Sequence, residues 1–73
     1  NKITLFFFIN CMQCKMTKKL LEKAVADFQE INMDERPDMI DYVKSLGFTA
    51  APVIKAGEIV FSGFQPNKLK EII

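Results

Sequence analysis

Histidine is absent from this sequence and cysteine occurs only twice. A structural zinc site normally takes four protein ligands, so one chain cannot complete it unless carboxylates or a second molecule help. Two cysteines three positions apart are also unlike the spread of bridges that staples small secreted domains by closing long loops. Neither sign of charge dominates: charged residues make up 26% and the net charge is +1, too little field to hold nucleic acid. Lys15, Lys18, Lys19 and Lys23 are interleaved with Glu22 and Asp27, the pattern of a solvated helix face. No stretch is long enough to cross a bilayer. The apolar run Ile3 to Ile9 has one flanking lysine and no small-residue cleavage site after it, which argues against a secretory signal. Internal repeats, low-complexity segments and linkers are missing, so the expectation is a single domain over residues 1–73 in a reducing cytoplasm, as a monomer, with neither nucleic acid nor membrane as partner.

What is present is apolar. Almost half the residues (49%) are hydrophobic, enough for one compact core, although a chain near this length buries only roughly 60% of its unfolded surface. Lys2 to Ile9 is nearly continuous β-former, the mark of a central strand covered on both faces. From Met12 to about Ala26 the period turns helical, and Met16, Leu20, Leu21, Ala24 and Val25 form the expected inward stripe. Phe28 to Met33 reads as a second strand. Pro37 suits the first position of a helix, whose inward residues are Met39, Ile40, Val43 and Leu46 and whose end is Gly47. Pro52 leads a strand over Val53 to Ala56, where a proline disturbs a ladder least. A tight turn returns the chain through Ile59 to Ser62. A last helix starts near Pro66, with Leu69, Ile72 and Ile73 facing in. The class is α/β: order β-α-β-α-β-β-α, a four-stranded mixed sheet with helices on both faces.

The spacing Cys11-Met12-Gln13-Cys14 admits a shared metal site, a soft-metal clip, a redox dithiol or two inert apolar residues. Copper-carrying domains of this size place methionine two residues before the first cysteine, where this chain has Ile9, and they end on a strand. The redox reading has a mechanism. Cys11 falls where strand gives way to helix, near N–H groups that have no partner within the helix. That terminus favours an anion by up to ~2 kcal/mol in good geometry, which lowers a thiol's pKa. Cys14, one turn on, lies on the same side of the helix. On this reading Cys11 attacks a disulfide and Cys14 resolves the product.

The strand, the cysteine pair with Met-Gln inside it, Gly47-Phe48-x-Ala-Ala-Pro52, and Ser62-Gly63-Phe64-x-Pro66 together resemble the NrdH-type redoxins, glutaredoxin-like proteins of the thioredoxin fold. The resemblance covers essentially the whole chain. It implies a dithiol carrier that takes electrons from thioredoxin reductase to a class Ib ribonucleotide reductase, with Cys11 as nucleophile, Cys14 as resolving thiol and no bound cofactor or metal. It also implies a cis bond between Ala51 and Pro52, which offers the Ala51 backbone to an extended partner strand. Met12, Gln13, Ala51, Pro52, Ser62, Gly63 and Phe64 are the expected partner-binding residues. Two positions depart from the pattern: Phe61 stands where the family often has tryptophan, and Gln65 where it often has arginine. The competing readings are a glutathione-dependent glutaredoxin, a general protein-disulfide reductase, and a module sharing a metal between chains. Glutaredoxins that use glutathione resemble Cys-Pro-Tyr-Cys and carry a paired-glycine turn followed by acidic residues; neither stands here.

Overall fold

The computed structural model describes residues 2–73. The elements follow the expected order: β1 (Ile3–Phe7), α1 (Met12–Lys23), β2 (Phe28–Asn32), α2 (Pro37–Ser45), β3 (Val53–Ala56), β4 (Ile59–Ser62) and α3 (Pro66–Ile72). The four strands lie in the order β2-β1-β3-β4. β1 pairs in parallel with β2, Leu5 opposite Glu30, and antiparallel with β3, Leu5 opposite Ile54. The antiparallel β3–β4 hairpin closes on the pair Ala56 and Ile59.

Alternation along the strands sends side chains to two separate cores. Ile3, Leu5, Ile54, Ala56 and Phe61 meet Leu21 of α1 and Leu69 of α3 on one face. Phe6 and Val53 meet Met33 and Val43 of α2 on the other. β1 feeds both, which is why its sequence reads as an apolar run and not as an alternating one. Burial of each such side chain is worth about 1.5–3 kcal/mol, and Leu5, Leu21, Ile54 and Leu69 are almost wholly enclosed.

The boundaries differ from the sequence reading in ways the backbone explains. β1 stops at Phe7, not Ile9: Met33 N–H donates to the Phe7 carbonyl at 2.8 Å, after which Ile9 N–H turns out of the sheet to Asp34 Oδ2 at 2.7 Å. β2 correspondingly stops at Asn32, yet Met33 stays buried in the second core. The inward face of α1 is Cys14, Thr17 and Leu21, so the expected stripe holds in part: Leu21 is buried and Leu20 packs against the first core, while Ala24 is exposed. Met16 and Val25 are exposed. Thr17 can be buried because its hydroxyl donates to the Gln13 carbonyl at 2.9 Å, one turn back. α1 ends at Lys23 with Val25 in the left-handed region at φ 54°. There Val25 N–H donates to Glu22 and Ala26 N–H to Leu21, the paired bonds of a Schellman motif. α2 ends in the same motif, this time with Gly47, at φ 96°, in the left-handed position. Gly47 N–H donates to Lys44 and Phe48 N–H to Val43. Leu46, expected inward, is its exposed C-cap, and Ile73 is exposed as well.

Candidate active site

Cys11 is the N-cap of α1, in extended backbone conformation. Its carbonyl accepts the first bond of the helix, from Lys15 N–H at 3.2 Å. Its sulfur accepts the N–H of Cys14 at 3.1 Å, one of the four donors that a helix start leaves unpaired. The two cysteines form a disulfide with Cα atoms 5.2 Å apart. They are unequally placed. Cys14 is 2% exposed, whereas Cys11 is half-buried and Met12 and Gln13 between them are exposed.

The Ala51–Pro52 bond is cis. Pro52 is buried and Ala51 half-buried. The Pro52 carbonyl accepts Gly63 N–H at 2.8 Å, extending the β3–β4 ladder by one step beyond the pair Val53 and Ser62. Gly63 turns the chain at φ 83°, where a residue with a Cβ would be strained. The turn is braced twice. Gln65 Nε2 donates to the Ser62 carbonyl at 2.6 Å, and Gln13 Oε1 accepts Phe64 N–H at 3.4 Å. Gln65, a departure from the family pattern, thus makes a local hydrogen bond of its own. Through Gln13, the Ser62–Phe64 turn is tied to the start of the helix that carries the cysteines. Phe64 leans on the first core; Met12, 72% exposed, does not pack inward.

Asp34 and Thr17 were not singled out from the sequence. Asp34 pins the backbone two residues before Cys11, and its own N–H is held by Asn32 Oδ1 at 2.9 Å. The cluster Asn32, Asp34 and Pro37 is a turn signal, but nothing in it names the strand end it holds. Behind the pair, Lys18 Nζ lies 3.0 Å from Glu30 Oε1 on β2, and the hydrogen bond and charge of Glu30 raise the pKa of Lys18. No group of three or more histidine, cysteine, aspartate or glutamate side chains suited to a metal occurs among the described residues. No helix there is long and apolar enough to cross a membrane.

The Glutaredoxin family model matches residues 3–60. The glutaredoxin-like protein NrdH of Lactococcus lactis subsp. cremoris is 46% identical over 70 residues, 96% of this chain and 97% of that protein. Its counterpart in Escherichia coli K12 is 34% identical over 71 residues, 97% and 88% of the two chains. The solved glutaredoxin-like NrdH-redoxin of Escherichia coli superposes with a TM-score of 0.96 at 33% identity, covering 100% of this chain and 96% of that one. A glutaredoxin from Archaeoglobus fulgidus superposes at 0.87 with 30% identity, over 96% and 83%. Fold and cysteine pair together define a thioredoxin-fold thiol–disulfide oxidoreductase. Within that class the chain belongs to the glutaredoxin family, as an NrdH-type redoxin.

Proposed function

We propose that this redoxin carries electron pairs from a thioredoxin reductase to a class Ib ribonucleotide reductase through Cys11 and Cys14, as a cytoplasmic monomer of one domain. The observation that carries the mechanism is the inequality of the two sulfurs: Cys11 Sγ accepts a helix N–H at 3.1 Å, and Cys14 is enclosed at 2% exposure. A hydrogen bond to sulfur favours its anion, and the half-open position lets that anion meet a target. The Cys11 thiolate attacks one sulfur of the target disulfide. The target's S–S bond breaks, a mixed disulfide forms on Cys11, and the other target sulfur leaves as thiolate and takes a proton. Cys14, deprotonated, then attacks Cys11. The Cys11–Cys14 bond closes, and the target departs as a dithiol carrying two electrons. A reductase dithiol reverses both steps.

The choice of partners is supported by near full-length similarity to NrdH proteins and by the structural relative from Escherichia coli, whose described activity profile is thioredoxin-like. It is supported also by the braced Ser62–Phe64 turn, which holds one glycine where glutathione-using relatives carry two. Met12, Gln13, Ala51, Pro52, Ser62, Gly63 and Phe64 then form the surface on which either partner docks, with the Ala51 backbone beside the attacked sulfur.

The test is nicotinamide oxidation coupled to the oxidised protein, run once with thioredoxin reductase and once with glutathione and its reductase. Rapid turnover is expected with the first and slow turnover with the second. The reverse result would move this chain to the glutathione-driven glutaredoxins.

A further inference from the structure

Cys14 must ionise to resolve the mixed disulfide, yet it lies where an anion is poorly supported. Its own N–H is spent on Cys11, and burial in apolar surroundings disfavours a thiolate. The side chain forms one wall of an open cavity of about 190 Å³, lined otherwise by Leu5, Phe7, Phe8, Ile9, Lys15 and Lys18. The strand side of this cavity brings no ionisable group. From α1 come the two lysines, and Glu30 of β2 joins through its 3.0 Å salt bridge to Lys18. Asp34 reaches the cavity's rim, where its carboxylate is taken up by Ile9 N–H, and Cys11 is in this step already covalently engaged.

We propose that Lys18, anchored by Glu30, stabilises the Cys14 thiolate across this cavity during the resolving step. Lys18 stands four residues after Cys14, on the same side of the helix. The cavity opens to solvent and the Lys18 side chain is itself 45% exposed, so the effect rests on the cation being held in place by Glu30 and not on exclusion of water. Lys15 is exposed, where solvent and salt screen its charge. Lys18 is tied to the neighbouring strand, and the pairing keeps it protonated. In the step itself the Cys14 proton leaves to water at the cavity mouth. The thiolate displaces the target sulfur from Cys11, and that sulfur departs as an anion and is protonated by solvent. Lys18 gives up no proton; it lowers the energy of the charged form of Cys14.

This inference rests on Cys14 being the resolving thiol, and the experiment separates the two. Reduced protein is mixed with an aryl disulfide whose thiolate is coloured, and release is followed by stopped flow. The first equivalent reports attack and the second reports resolution, while quenched samples are mapped by mass to locate the mixed disulfide. Loss of the cation should make resolution in Lys18→Met roughly three- to tenfold slower near neutral pH. Attack should stay within about twofold, because the helix terminus that favours the Cys11 anion is untouched. The deficit should close as pH rises and Cys14 ionises unaided, and Lys18→Arg should recover the wild-type profile. A mixed disulfide on Cys14 would overturn the role assignment and the proposal with it. With the mixed disulfide on Cys11, an unchanged second phase, a deficit constant across pH, or an equal deficit in Lys18→Arg would overturn the lysine proposal alone.

Discussion

The backbone N–H of Cys14 is directed at the sulfur of Cys11, 3.1 Å away, so the buried cysteine supports the half-buried one through its main chain. Cys11 is therefore expected to be the more acidic and the faster-reacting thiol. Brief alkylation of the reduced protein at limiting reagent, followed by mass mapping, should label Cys11 before Cys14. Preferential labelling of Cys14 would reverse the roles assigned to them.

Removing one sulfur at a time separates the two steps. Cys14→Ser retains the attacking group and the N–H that supports it, and it should accumulate a mixed disulfide with a protein target. Cys11→Ser should reduce no disulfide at a measurable rate, because the enclosed Cys14 cannot reach a target. Non-reducing electrophoresis of each variant with its target distinguishes them, and a Cys11→Ser variant active near the wild-type rate would sink the mechanism.

Much of this was legible in the sequence because it depends on local rules. Pro37 at the start of α2, Gly47 at its end, the strands Val53–Ala56 and Ile59–Ser62, and Pro66 opening α3 all lie where turn and capping chemistry places them. The cysteine pair was legible for the same reason, since its spacing and its strand-to-helix position carry the chemistry. The cis state of Ala51–Pro52 came from family resemblance, not from the residues, because most X–Pro bonds are trans. The inward face of α1 was read correctly at Leu20 and Leu21 and misread elsewhere because hydrophobic periodicity counts Thr17 as polar and Val25 as apolar. Thr17 is hidden because its hydroxyl bonds to the Gln13 carbonyl, and Val25 is out because the helix has already ended. The Asp34 clamp and the Lys18–Glu30 pair join residues distant in sequence, and only the sheet register brings them together.

The two ion pairs act at opposite ends of the pH scale. Glu30 raises the pKa of Lys18, so the folded protein holds that proton more tightly than the unfolded chain. The resulting stability is full below the ordinary lysine value, about 10, and is lost as pH rises through the raised folded value. Asp38 is the mirror case: the Arg36 hydrogen bond lowers its pKa, so its contribution is present above the ordinary carboxylate range and lost as pH falls through the depressed value. Urea unfolding across pH should show a plateau between these limits. The Lys18 pair is solvent-exposed, so its share should stay below about 1 kcal/mol. Glu30→Gln should remove the alkaline loss attributable to Lys18; an unchanged alkaline limb would refute the assignment.

Val25 is a β-branched residue held at φ 54° to close α1, in the position that Gly47 occupies at the end of α2. A left-handed conformation costs an L-residue roughly 1–2 kcal/mol, and β-branched side chains are poorly suited to it. The side chain returns little for that cost, since it is 89% exposed. Glycine would relieve the strain and keep the bonds from Val25 N–H to Glu22 and from Ala26 N–H to Leu21, both of which are main chain. Against this, glycine enlarges the conformational freedom of the unfolded chain by about 0.4–1 kcal/mol. The strain is the larger quantity, so Val25→Gly should stabilise the protein by about 0.5–1 kcal/mol. In a domain of this size that raises the melting temperature by a few degrees, roughly 4–8 °C per kcal/mol. Asparagine, which tolerates the same region, should give a smaller gain. Val25 stands at the opposite end of α1 from Cys11, so disulfide-exchange rates should not change with either substitution. A calorimetric scan of the three proteins decides the matter, and a lower melting temperature for Val25→Gly would show that the exposed side chain contributes more than its backbone strain costs.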